Sequence, residues 1–547
     1  MAIAELATAT PVIPALPKGP AAPRPPLFLR VTALATALLF AAPVGYVLWR
    51  ALGLGADVGQ LVDEIGPPLW RTVQLAVLTS TTTALLGTGL AWLLVRTDLP
   101  GRSVLRGLAP LPLVFPSFVG AAAFIAGLAP GGALRGALEL VGVDAPARFR
   151  GLGPSWLVLT LFTYPYVYLP VAARLRALPP SWEESARLLG DTPRRLFGRV
   201  ILPHLRRAIL GGGLLVFLYS LSEFGAVQLL GFDTLTRVIY ATRLVDRAQS
   251  FGAASVLLVL AVVVVLAERR MAGASLAVGR SADRQNRPVA LGRWRWPALA
   301  GVVAVLFVGL VVPLLSLGQW ALRGLTAGNG PGANLADELG SLRLPAFATA
   351  QLGLGAGVLT VVAVFPSAYL CARYRSRLAG IVSAAVLGGF AMPGLVIALS
   401  LVFWSLNVPG FDRFYQSVPL LLAAYVVHFG SQAMRATELA VAAVPDRLRE
   451  SARLLGASPM RRATSLEAPL MRPGLLAAVG LVLLATVKEL PATLLLAPTR
   501  VDTLSTRLWK SFEEGFLAEA GLASLALVAV SGLLTWLLVL RRAHHLA

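Results

Sequence analysis

Ser185-Ala186-Arg187-Leu188-Leu189-Gly190 recurs without change as Ser451-Ala452-Arg453-Leu454-Leu455-Gly456. The match extends outward at a constant offset of 266 residues, pairing Glu184 with Glu450, Pro193 with Pro459, Pro203 with Pro469 and Glu223 with Glu489. Each copy is a polar, arginine-rich island between very apolar flanks. A second set of pairs lies upstream at an offset of 277: Thr72 with Thr349, Arg96 with Arg373, Pro116 with Pro393. The change of offset falls in the loops after the third and ninth apolar runs, where length differences cost little. The chain is therefore two copies of one unit.

The flanks fix the class. Of 547 residues 56% are hydrophobic and 14% charged, against roughly a quarter charged in soluble domains. A helix needs about 20 mostly apolar residues to cross a bilayer, which places spans near 28–49, 69–95, 104–127, 155–178, 206–230 and 250–268, then 296–317, 346–372, 380–403, 417–440, 472–497 and 518–540. The expectation is an all-α polytopic membrane protein of 12 transmembrane helices in two six-helix repeats. An even number per repeat keeps both copies in the same orientation, so the repeats are parallel. Residues 1–27 read as a cytoplasmic tail, 28–268 and 296–540 as the two six-helix domains, 269–295 as a cytoplasmic linker and 541–547 as a second tail.

Charge tests that count. With the N-terminus inside, the cytoplasmic segments hold 33 Lys and Arg and the outer segments 14, Lys488 lying within a span. This agrees with the positive-inside rule and puts both termini in the cytoplasm. The net charge of +21 is scattered in short clusters with no continuous basic arm, so nucleic acid is not the expected partner. Cys371 is the only cysteine, which excludes an intrachain disulfide and a CxxC site. His204, His428, His544 and His545 are too dispersed to form a metal centre.

The repeated island reads as helix, glycine turn, helix. Pro179 and Pro180 end the fourth span, and Ser181 stands three residues before Glu184, the spacing of a capping box. Gly190 is suited to a left-handed terminus, and Thr192-Pro193 restarts a helix. In the second copy Asp446 is the expected cap, Gly456 the turn and Ser458-Pro459 the restart. So short a helix is marginal alone and must pack either on the protein's own helices or in the groove of a cytoplasmic subunit.

The Glu-Ser-Ala-x-x-x-Gly pattern, at Glu184, Ala186 and Gly190 and again at Glu450, Ala452 and Gly456, followed by Pro203 and Pro469, resembles the EAA loop of binding-protein-dependent ABC transporter permeases. The segment from Lys488 to Leu496 with Asp502 to Trp509 resembles the fused two-domain permeases of ferric iron (Fe3+) uptake. Ser222-Glu223-Phe224-Gly225-Ala226 resembles the wider group handling thiamine, polyamines, sulfate and aminophosphonates. The resemblance implies a type I importer fold in the bacterial inner membrane, with docking loops for two copies of a cytoplasmic ATP-binding subunit. It also implies a periplasmic or lipid-anchored solute-binding protein on the outer face. It implies no catalytic residue, cofactor or stable metal in this chain; ATP and Mg would sit on the partner subunits. No G-x-x-x-x-G-K-[ST] loop is present. A gradient-driven secondary carrier is the alternative of a different class.

Ionisable groups inside the apolar runs are costly and usually functional or paired. Glu223, Glu489 and Lys488 are the notable ones, either lining a pathway for a cationic ligand or holding helices together, with Lys488 able to offset a carboxylate. Pro116 and Pro393 are expected to interrupt their helices, either freeing carbonyls beside the pathway or making a static packing kink.

Overall fold

The computed structural model describes residues 25–53, 58–190, 192–272, 288–326, 335–374, 376–389 and 392–537. The expected tails lie almost wholly, and the linker in large part, outside these residues. The first half contains α1 (Leu27–Gly53), α2 (Val58–Arg96), α3 (Arg102–Leu108), α4 (Ser117–Leu128), α5 (Ala133–Leu140), α6 (Leu152–Thr163), α7 (Pro165–Arg176) and α8 (Pro180–Leu188). It continues with α9 (Pro193–Leu196), α10 (Leu202–Ser222), α11 (Gly225–Leu229), α12 (Leu235–Thr242) and α13 (Arg247–Ala272). The second half contains α14 (Arg295–Leu306), α15 (Val312–Thr326), α16 (Leu335–Ser341), α17 (Arg343–Arg373), α18 (Arg377–Gly388), α19 (Gly394–Asn407), α20 (Val418–Ala442) and α21 (Asp446–Leu454). It ends with α22 (Pro459–Arg462), α23 (Ala468–Val487), α24 (Pro491–Leu496), α25 (Leu504–Glu513) and α26 (Leu517–Thr535).

Among the described residues nine helices are long and apolar enough to cross a membrane, or ten if one bent pair counts as a span. That pair is the span expected over 104–127, interrupted at Pro116 as the sequence predicts: Arg102–Val114 and Ser117–Leu128 meet at 96°. The cause is local. Pro112 and Pro116 remove two amide donors, and Pro116 is extended (φ −60°, ψ 144°) where α4 begins. Pro393 (φ −54°, ψ 141°) starts α19 in the same way. The expected span at 380–403 is correspondingly divided into α18 and α19. Over 417–440 the 25-residue α20 carries His428, Arg435 and Glu438 along its length.

Matching contacts mark the repeat. Thr72 Oγ donates to Pro68 O (2.7 Å) and accepts from Leu235 N (2.9 Å). Thr349 Oγ donates to Pro345 O (2.7 Å) and accepts from Leu504 N (2.9 Å). The first long helix of each half is shared: α1 packs on α13 of its own half and on α17, α18 and α19 of the other, while α15 packs on α26 and on α4. Phe40 is fully buried and faces Gly430, where an added Cβ would meet its ring at 2.0 Å. Thr36 donates to Ala363 O (2.9 Å), and Ser400 donates to Pro43 O (3.3 Å). Each half thus closes over a helix from its neighbour.

Candidate docking and pathway sites

Both copies of the repeated island fold as a short helix, a left-handed glycine and a second helix. Gly190 (φ 83°) and Gly456 (φ 77°) occupy the expected turns. The restarts are capped as read from the sequence: Thr192 Oγ accepts from Arg195 N (3.4 Å) and Ser458 Oγ from Arg461 N (3.3 Å). The first caps differ from expectation. α8 already begins at Pro180, so Ser181 lies inside the first turn instead of at the cap. Asp446 is likewise the first helical residue, behind Pro445, and its carboxylate serves as an ion-pair partner.

Ion pairs anchor the short helices α8 and α21 to the long helices. Arg96, at the end of α2, meets Glu183 of α8 at 2.8 Å with both side chains buried. Arg373, at the end of α17, meets Asp446 of α21 at 2.8 Å and donates to Val441 O (2.7 Å) and Val444 O (3.0 Å). Arg449 adds contacts to Glu467 (3.0 Å) and to the Tyr369 hydroxyl (3.2 Å). In the first copy Trp182 packs on His204, ring centroids 4.5 Å apart. The sequence marks Arg96 and Arg373 as a repeat pair without revealing their acidic partners, which lie 73 and more residues away.

Glu184, Gly190 and Pro203, like Glu450, Gly456 and Pro469, are exposed, Ala186 is buried and Ala452 partly so. The unexpected feature is apolar. Leu188 and Leu189 are 89% and 86% exposed, and Leu454 and Leu455 88% and 86%. Four leucines projecting at matching positions form two small patches that the described residues leave uncovered. Immediately after the second short helix, each copy passes through a π-helical turn, Phe197–Ile201 and Ala463–Glu467. The chain then runs directly into α10 or α23.

Both long helices end at a buried acid. Glu223 follows α10; its carboxylate accepts from Ser117 Oγ (2.7 Å) and Ala226 N (2.8 Å), while its carbonyl accepts from Thr236 Oγ (2.6 Å). Glu489 follows α23 and accepts from Ala492 N (3.1 Å), Thr493 N (3.3 Å) and Thr493 Oγ (3.2 Å). The repeat position of Ser117 is Gly394, where an added Cβ would lie 2.6 Å from Glu489 Oε1. Each carboxylate therefore satisfies amides at the start of the next short helix. Lys488 does not join Glu489. Among the described residues the two form no salt bridge, and Lys488 Nζ donates instead to Leu113 O of the other half at 2.6 Å.

Tyr164 donates to Ala109 O (2.6 Å). With Tyr168 it is fully packed, while Tyr166 lies against Tyr219 (6.0 Å). Among the described residues no group of three His, Cys, Asp or Glu could hold a metal ion.

The family model for the binding-protein-dependent transport system inner membrane component matches residues 83–317 and again 364–544. The chain belongs to this family. It is a permease subunit of an ABC-type importer, a multi-pass inner-membrane protein and a transport component, not an enzyme. A Fe(3+)-transport system permease protein of Haemophilus influenzae is 29% identical over 94% of this chain and 98% of its own length. A protein named as a 2-aminoethylphosphonate transport system permease of Salmonella typhimurium is 31% identical over 41% of this chain and 83% of its own. A sulfate transport system permease protein of Escherichia coli is 28% identical over 36% of this chain and 67% of its own.

Proposed function

We propose that this permease carries ferric iron, delivered by a solute-binding protein, through a path between two parallel six-helix halves with both termini in the cytoplasm. ATP and Mg are bound by two copies of a separate cytoplasmic subunit, one per docking hairpin. The observation that carries the coupling part is the pair of uncovered leucine patches at Leu188-Leu189 and Leu454-Leu455, each behind a left-handed glycine. Their continuation into α10 and α23 lets movement of a docked subunit reach the buried acids, a two-state element biased from outside. Iron is favoured because the Haemophilus influenzae relative matches across both halves, whereas the phosphonate and sulfate relatives match only part of the chain.

Surroundings are open at Gly190 and Gly456, so Gly190→Ala and Gly456→Ala act through backbone conformation alone, at about 1–2 kcal/mol each. Each variant is expected to insert normally and to lose co-purification of the ATP-binding subunit. Retained co-purification with both alanines present would overturn the docking reading. Uptake of ferric iron, sulfate and 2-aminoethylphosphonate into proteoliposomes with the cognate binding protein decides the substrate; uptake of either anion without iron would reject iron.

A further inference from the structure

Leu113 belongs to the 3-10 turn Leu111–Val114. In such a turn a carbonyl is matched by the amide three residues on, and for Leu113 that residue is Pro116, which has no N–H. The α-helical alternative, Ser117, lies beyond the extended Phe115 (ψ 126°) and Pro116 (ψ 144°). The carbonyl left over by the helix break is met from the other half by the Lys488 ammonium at 2.6 Å.

Lys488 is the C-cap of α23, at the end of a helical run that starts at the docking hairpin with Pro459. Its repeat counterpart, Ser222, donates to Leu218 O of its own helix at 3.0 Å. The link between halves is therefore made by the second half only. The halves also close on each other here: Phe224 and Trp509 have ring centroids 5.7 Å apart, and a Cβ on Gly225 would come within 3.2 Å of Leu490.

We propose that Lys488 is a gating latch. Its ammonium holds the second half to the broken helix of the first, and displacement of the docking hairpin carries α23, and Lys488 with it, away from the Leu113 carbonyl. The static link stands on the geometry above; its release by the hairpin rests on the docking reading. Lys488 acts on the pathway by positioning the two halves and is assigned no contact with the ligand.

Two measurements separate these parts. In a Cys371→Ala background, spin labels at Leu189→Cys and Leu455→Cys report the separation of the two hairpins in the chain alone, reconstituted in lipid. Lys488→Met is expected to lengthen or broaden that separation and Lys488→Arg to preserve it; Lys488→Gln replaces the methionine variant if that one does not fold. In the assembled transporter the same neutral variant should raise ATP hydrolysis without ligand-loaded binding protein by at least about fivefold, the low end of coupling between two sites, and the arginine variant should restore the basal rate. Unchanged separations in a folded neutral variant overturn the latch. Altered separations with unchanged hydrolysis keep the latch and overturn its connection to the docking hairpin.

Discussion

Glu223 and Glu489 hold equivalent places yet are satisfied differently. Ser117 supplies a hydroxyl to the first, while Gly394 makes room for the second. Both carboxylates accept the amide three residues on, which favours a bracing role, and that role needs an acceptor oxygen but no charge. Glu223→Gln and Glu489→Gln should therefore leave assembly and transport intact, whereas Glu→Ala at either position removes the cap, at about 1 kcal/mol, and should reduce the yield of folded protein. Full assembly of the Gln variants with transport abolished would return both acids to the pathway. Polarity inside an apolar run makes these residues visible in a sequence; the choice between bracing and lining is not, because it depends on Ser117, 106 residues away. Lys488 shows the same limit. Adjacency suggests Glu489 as its partner, but consecutive residues diverge at the end of α23, and the acceptor Lys488 reaches is a carbonyl of the other half.

The two repeated hairpins are alike in outline and unlike in how they are fastened. Arg96 and Glu183 are both buried, with side-chain exposures of 4% and 11%, whereas Asp446 is 72% exposed beside Arg373. Removing one partner of a buried pair strands a desolvated charge, at about 3–5 kcal/mol, while an exposed partner is worth about 1 kcal/mol or less. Arg96→Ala should thus destabilise the protein strongly in thermal unfolding and Asp446→Ala only slightly. Equal shifts would show that the two anchors are equivalent. The hairpin outline was legible because Gly190, Gly456, Thr192 and Ser458 are local signals. The first caps were misplaced because Pro180 can itself begin a helix, which moves Ser181 inward. The π-helical turns at Phe197–Ile201 and Ala463–Glu467 fall at the same repeat position, each two residues before a repeat proline, Pro203 or Pro469, that removes an amide donor from the helix that follows.

Across the whole molecule, hydropathy locates the helical regions, but four of the expected spans are broken in the fold: at Pro116, before Pro393, after Ser222 and after Val487. Length and apolarity alone support nine or ten crossings among the described residues, so the twelve-span, termini-inside arrangement has its own test. Single cysteines at Leu189 and Leu455 should react with an impermeant maleimide only in inside-out vesicles, and cysteines at Gly142 and Asp412 only in right-side-out cells. Labelling of Leu189 and Leu455 from opposite sides would break the parallel repeat. The exchange of α1 and α15 between halves was not legible, since the same apolar faces would pack equally well on their own half; Gly430 opposite Phe40 decides the matter only in three dimensions.

The end of the inter-half connection has one further structural feature. Val289 pairs with Thr97 in a short parallel bridge: Val289 N donates to Arg96 O (2.7 Å), Asp98 N donates to Val289 O (3.2 Å) and Leu291 N donates to the Asp98 carboxylate (3.0 Å). The residue bridged on one side is Arg96, whose guanidinium holds Glu183 of α8. Three hydrogen bonds thus give the second half an address on the first that is independent of the covalent chain before it. A permease of this kind made as two separate polypeptides could keep its register through the same seam, with the leading segment of one chain seated beside the α8 hairpin of the other.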